Sequence, residues 1–193
     1  MLVCGMFCSI VIGSLYAFSL ITHTLSDVYK FSQNDITTIS TVGIVVGYLT
    51  FPFGILYDYY GPKPILLIGV ICICFGTLLF AFTFDNTIGH SVGGLAIINA
   101  IFNLGTALFD MGTVITVLSW FPLDRGFVVG CLKTMTGLGS SFLSTLYGAY
   151  FNNNNTTYMY FLLAISASIG VVAMFISYLP PYHMTGHREK IYT

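Results

Sequence analysis

Charge is what this chain lacks. Lys and Arg number six and Asp and Glu seven, 7% of the residues, where a water-soluble domain carries about a quarter. No soluble domain can be cut from it. The formal net charge of −1 gives no reason to expect a nucleic-acid partner or a basic lipid-binding patch. Basic residues are also missing from Met1–Leu20, so that stretch has no signal-peptide n-region and reads as a retained first helix. The five cysteines, Cys4, Cys8, Cys72, Cys74 and Cys131, all fall in apolar runs. They read as small packed hydrophobes, with neither a disulfide framework nor a metal site. Paired catalytic carboxylates, a nucleophile–base arrangement and metal-spaced histidines are all missing from those runs, which argues against an enzyme and implies no cofactor.

What fills the chain instead is six hydrophobic runs, roughly Leu2–Thr22, Thr38–Leu56, Pro64–Phe84, Val92–Ser119, Phe127–Tyr150 and Tyr158–Leu179. Each approaches the ~20 residues that carry a helix across a bilayer core. Backbone groups in lipid must bond internally, and the runs are too long and too continuously apolar for barrel strands. The expected fold is an all-α polytopic membrane protein with six transmembrane helices. Residues 1–179 form the helical domain, and residues 180–193 a polar tail opened by Pro180 and Pro181. Lys63, Arg125, Arg188 and Lys190 lie on the side of the second and fourth connectors and the tail, whereas Lys30 lies in a connector on the other side. Positive residues stay inside, so both termini are expected to be cytoplasmic; which membrane is left open. The outward connector Asn152–Thr157 holds two overlapping glycosylation patterns, at Asn154 and Asn155, and reads first as a polar turn.

The informative residues are the polar ones inside the spans. In the fourth, Asn99, Asn103, Thr106, Asp110 and Thr113 recur at offsets of 4, 3, 4 and 3. At about 100° per residue they fall within about 40° of one line. Val117 ends that line, and Ile97, Ile101, Leu104, Leu108, Met111, Ile115 and Leu118 lie opposite. Such a stripe belongs against protein or a water-filled path. Asp110 lies ten residues from Trp120, ~15 Å deep at 1.5 Å per residue. Lys133, eight residues beyond Arg125, reaches ~12 Å and begins a face of Lys133, Gly137, Ser140, Ser144 and Tyr147. Charges of opposite sign at similar depth on consecutive helices are expected to pair. The pair serves either as an interhelical tie or as a site for solute or proton. Ser9, Gly13 and Tyr16 make a small polar face in the first span, for packing or for lining a cavity. Gly43 and Gly47 form a packing pair in the second. His23 and His90 read as interfacial, and His183 and His187 as tail residues.

Two stretches carry a family resemblance. Gly54-Ile55-Leu56-Tyr57-Asp58-Tyr59-Tyr60-Gly61-Pro62-Lys63 resembles the G-x-x-x-D-[RK]-x-G-[RK]-[RK] loop between helices 2 and 3 of major facilitator superfamily transporters. Gly54, Asp58, Gly61 and Lys63 match, while Tyr59 and Pro62 replace basic residues. Trp120-Phe121-Pro122-Leu123-Asp124-Arg125-Gly126, continuing through Lys133 to Ser140, is similar to a run in nodulin-like members of that superfamily. The resemblance implies the N-terminal six-helix half of a secondary carrier that moves a small solute by alternating access. It also implies a gating loop of Gly54, Asp58, Gly61, Lys63 and Arg125. Asp110, Lys133, Asn99, Asn103, Thr106, Tyr16 and Ser140 are the expected solute or proton site. Expected partners are the lipid bilayer, a small solute with or without a proton, and a second half from a homodimer or a longer chain. The rival reading is a non-transporting membrane scaffold or an inactive truncated transporter.

Overall fold

The computed structural model describes residues 1–16, 30–85, 89, 91–151 and 154–180. Every regular element among them is helical: α1 (Leu2–Ile12, prolonged by a 3-10 turn, Gly13–Leu15), α2 (Gln33–Tyr48), α3 (Phe51–Tyr60), α4 (Pro62–Phe84), α5 (Val92–Trp120), α6 (Arg125–Tyr150) and α7 (Asn155–Ile176). By length and apolarity four stretches suffice to cross a bilayer: Gln33–Tyr60, Pro62–Phe84, Val92–Trp120 and Asn155–Ile176. Leu2–Leu15 is apolar but shorter, and residues 17–29, where the first span was expected to end, lie outside the described residues. α6 is 26 residues long, but Lys133 and its Ser and Thr residues make it more polar than those four.

Local chemistry sets the helix ends. Ser32 and Asp35 close a reciprocal capping box at the start of α2. Ser91 Oγ accepts from Gly94 N–H at the start of α5, at 3.0 Å. Asn154 Oδ1 accepts from Thr157 N–H at the start of α7. Asn155, at the first position of α7, is buried and takes the hydroxyl proton of Tyr147, which shields its side chain. The expected second span, Thr38–Leu56, departs from one helix: it breaks at Leu49 and Thr50. Pro52 explains this, because its ring clashes with the carbonyl of Tyr48 four residues earlier. The expected connector 57–63 is also shorter than read. α3 runs to Tyr60, Gly61 alone turns the chain at φ +79°, and α4 opens on Pro62, which has no N–H to leave unpaired.

Lipid tails are as apolar as Leu, so helices in a membrane hold together by close packing rather than by escape from water. α5 is the central helix, and α4 meets it along an interlocked seam. A Cβ on Gly105 would stand 2.7 Å from Ile73 N, and one on Gly76 would stand 2.9 Å from Phe102 Cβ. α1 approaches α6 as closely, Gly139 lying under Ile10 Cα at 2.7 Å from where its Cβ would be. The apolar line of α5 is not uniformly outward: Leu108 is fully buried with Tyr57 and Ile65, while Ile97 and Ile115 are exposed. At one end of the bundle Trp120 Nε1 donates to the carbonyl of Tyr178 at 2.9 Å, and Leu179 packs over Gly61. The second connector, the end of α5 and the segment after α7 therefore gather together.

Candidate solute cavity

α1 with its 3-10 turn, α2, α5 and α6 surround a cavity of about 580 Å³. Ile12, Leu15, Tyr16, Ile44 and Tyr48 supply its apolar and aromatic wall. Asn103, Thr106, Asp110, Lys133, Thr136 and Ser140 supply its polar wall. The ion pair lies on that polar wall. Lys133 Nζ donates to both oxygens of Asp110, at 2.7 and 2.9 Å. The Lys133 side chain is 51% exposed and that of Asp110 29%, so a solute in the cavity can reach both. Asp110 falls mid-way along α5, and Lys133 one turn past the start of the Gly130–Gly137 stretch of α6. Seven residues separate Asp110 from Asn103 and Lys133 from Ser140, ~10 Å of rise on each helix. The charges thus sit at one end of the cavity, and Asn103 and Ser140 at the other.

Six of the seven expected site residues line this space: Asp110, Lys133, Asn103, Thr106, Tyr16 and Ser140. Asn99 does not. It is buried, and its Nδ2 donates to the carbonyl of Ile39 on α2 at 2.9 Å. Its own carbonyl and side-chain oxygens receive the Asn103 amide at 2.9 and 3.0 Å. Asn99 is a tie between α2 and α5, and Gly43 fits against it because a Cβ there would collide with the Asn99 amide. Gly47 lies on Asn103 in the same way, 3.3 Å from Asn103 Cβ. Thr113, next on the stripe, is buried beside Gly5 of α1 and clear of the cavity. Val117, which ends the stripe, packs on that same glycine. Of the small polar face of α1, only Tyr16 lines the space. Ser9 bonds back to the Gly5 carbonyl, and Gly13 packs against the α6 backbone at Thr136 and Ser140.

Tyr48, Ile44 and Thr136 line the cavity without having been singled out in the sequence. Ile44 and Tyr48 are one turn apart on α2, a spacing that puts them on one face, but in an apolar helix that signal is shared by most residues. The two glycines of the loop motif play different parts. Gly61 makes the turn, yet a Cβ on Gly54 would meet nothing within 4 Å, so no close helix contact among the described residues requires a glycine there. Asp58, Lys63 and Arg125 are exposed, and none forms a hydrogen bond or ion pair with a described residue. His23, His90, His183 and His187 lie outside the described residues.

A helical bundle with four stretches long and apolar enough to cross a bilayer fits an integral, multi-pass membrane protein. The chain belongs to the Major Facilitator Superfamily, whose family model matches residues 2–190. It is 28% identical over 158 residues to a protein of Rattus norvegicus named monocarboxylate transporter 2. That match covers 77% of this chain and 31% of the relative, so the chain spans about a third of the relative's length.

Proposed function

We propose that this chain is the six-helix half of a secondary carrier for a small organic carboxylate. The observation that carries the reading is the Lys133–Asp110 pair, half open to the cavity between α5 and α6. A purely structural ion pair is best kept dry and enclosed; this one faces the space a solute would fill. Four stretches meet the requirement for crossing, and α1 and α6 complete six when each is shielded by its neighbours. Their near-backbone contacts at Gly13 and Gly139 support this. Both termini are then cytoplasmic, with Lys63 and Arg125 at the inner surface. Asp58 stays with them in a gating loop that works by exposure, free to pair with a second half. The relative named monocarboxylate transporter 2 supports small carboxylates as the solute class.

A carboxylate on Lys133 displaces Asp110, which then needs a new counter-charge: either a co-transported proton or a cationic group on the solute. Alternating access requires a second half to rock against, supplied by a second copy or by a longer chain. Reconstitution into proteoliposomes tests the reading. Saturable, solute-selective uptake is expected, falling at least ~10-fold in Lys133→Ala and in Asp110→Asn, as expected when one member of a solute-facing charge pair is removed. Both variants should reach the membrane at wild-type levels. Unchanged uptake in both would remove this pair from the site, and neither flux nor solute binding would favour a scaffold.

A further inference from the structure

The hydrogen-bonding inventory of the cavity wall narrows the solute further. Each wall hydroxyl has one proton, and in three of them it is already committed to backbone: Thr106 to the carbonyls of Phe102 and Asn103, Thr136 to Leu132, and Ser140 to Gly137. The amide protons of Asn103 both point at Asn99, leaving its Oδ1 without a partner among the described residues. These groups can therefore only accept. With Asp110 they make an acceptor wall facing one cationic donor, Lys133, two of whose three protons go to Asp110; Tyr16 and Tyr48, on the other wall, carry hydroxyls that can donate or accept. A bare carboxylate suits Lys133 but leaves the displaced Asp110 carboxylate beside it without a counter-charge.

We infer that the solute is a zwitterion with adjacent poles, an apolar α- or β-amino acid, whose carboxylate takes Lys133 and whose ammonium takes Asp110. The exchange replaces one ion pair by two and leaves the cavity as neutral as before, with no proton required. The poles must be close because Lys133 and Asp110 touch, at 2.7 Å. A remaining ammonium proton finds Thr106, which continues the Asp110 face of α5 one turn away. The solute's body meets Ile12, Leu15, Ile44 and Tyr48. This rests on the reading of the cavity as the solute site, and deepens it.

The test is equilibrium binding of radiolabelled leucine to the purified full chain in nanodiscs. Competitors are unlabelled leucine, its deaminated carboxylate and its decarboxylated amine. The expected result is saturable binding, with each one-charge analogue at least ~10-fold weaker, since each leaves one buried charge unpaired. Lys133→Gln and Asp110→Asn should each lose at least ~10-fold, and the double exchange Asp110→Lys with Lys133→Asp should recover to within ~3-fold of the original. A pair that only braced the helices would recover in the same way, but it would not make each one-charge analogue weaker than leucine. Competition by the deaminated carboxylate equal to that of leucine overturns the zwitterion while leaving an anion carrier standing. If the chain takes up none of the three compounds, the cavity reading falls with it.

Discussion

The seam between α4 and α5 and the space between α2 and α6 are built from helices of the same kind, yet one is closed to backbone contact and the other holds a cavity. On the seam, glycines on each helix meet the other helix directly: Gly105 against Ile73 and Cys72, Gly76 against Phe102, Gly69 against Phe109. On α6 the glycines divide by face. Gly139 is pressed against Ile10 of α1, whereas a Cβ on Gly130 or Gly137 would meet nothing within 4 Å. Glycine content alone therefore does not predict closeness. The bundle packs closely where α5 meets α4 and α2, where α4 meets α7 and where α1 meets α6. The polar face of α5 is left opposite the open face of α6, and that is where Lys133 meets Asp110.

The comparison breaks most visibly at Gly105. A methyl group there would stand 2.7 Å from Ile73 N and 2.8 Å from Cys72 Cβ, atoms of a helix that cannot yield as a flexible side chain does. Gly105→Ala should lower stability by about 3 kcal/mol, the upper part of the range for overpacking. Denaturant titration of the purified protein in micelles measures it. A loss under ~0.5 kcal/mol, the size of an ordinary surface change, would mean the seam is looser than described.

A smaller effect separates the two asparagines of the α5 stripe. Asn99→Ala removes the bond to the Ile39 carbonyl and strips Asn103 of one acceptor. It should cost about 2 kcal/mol, in the range for disrupting buried hydrogen bonds. Solute binding per folded molecule should stay the same, because Asn99 is not on the cavity wall. Loss of binding without loss of stability would return Asn99 to the site and blur the division between brace and cavity.

That division shows what could be read from sequence. The stripe was legible because its period is set by the helix itself, and so was the start of α5, where Ser91 caps Val92–Trp120. The pairing of Asp110 with Lys133 needed only residue counts from the Phe121–Asp124 turn. The different fates of Asn99 and Asn103, a single turn apart, were not legible. They depend on Gly43 of α2 standing opposite the first and the cavity opening beside the second, which is a tertiary fact. Ile44 and Tyr48 escaped notice for a related reason: an apolar cavity wall and an apolar lipid face use the same side chains. The break at Leu49 did have a local cause in Pro52, but its effect falls four residues upstream, inside an uninterrupted apolar run.

The smallest expected effect is also the sharpest test of the contrast. At Gly137 an added methyl meets no atom within 4 Å, so the only consequence for the folded helix is relief of glycine's entropic cost, roughly 0.5–1 kcal/mol in a helix interior. Gly137→Ala should therefore stabilise the protein slightly, the opposite sign to Gly105→Ala, although both replace a glycine in the middle of an apolar helix. Because Gly137 lines the cavity one turn from Lys133, the same methyl occupies space the solute needs, and affinity should fall a few-fold while stability rises. Such a divergence cannot come from a lipid-facing glycine, which would gain stability with no change in binding. Nor can it come from a face covered by another helix, where the methyl would destabilise as it does on the seam. Denaturant titration and leucine binding on one purified variant distinguish the three, and only the divergent pair of results is consistent with α6 facing an open, solute-accessible space.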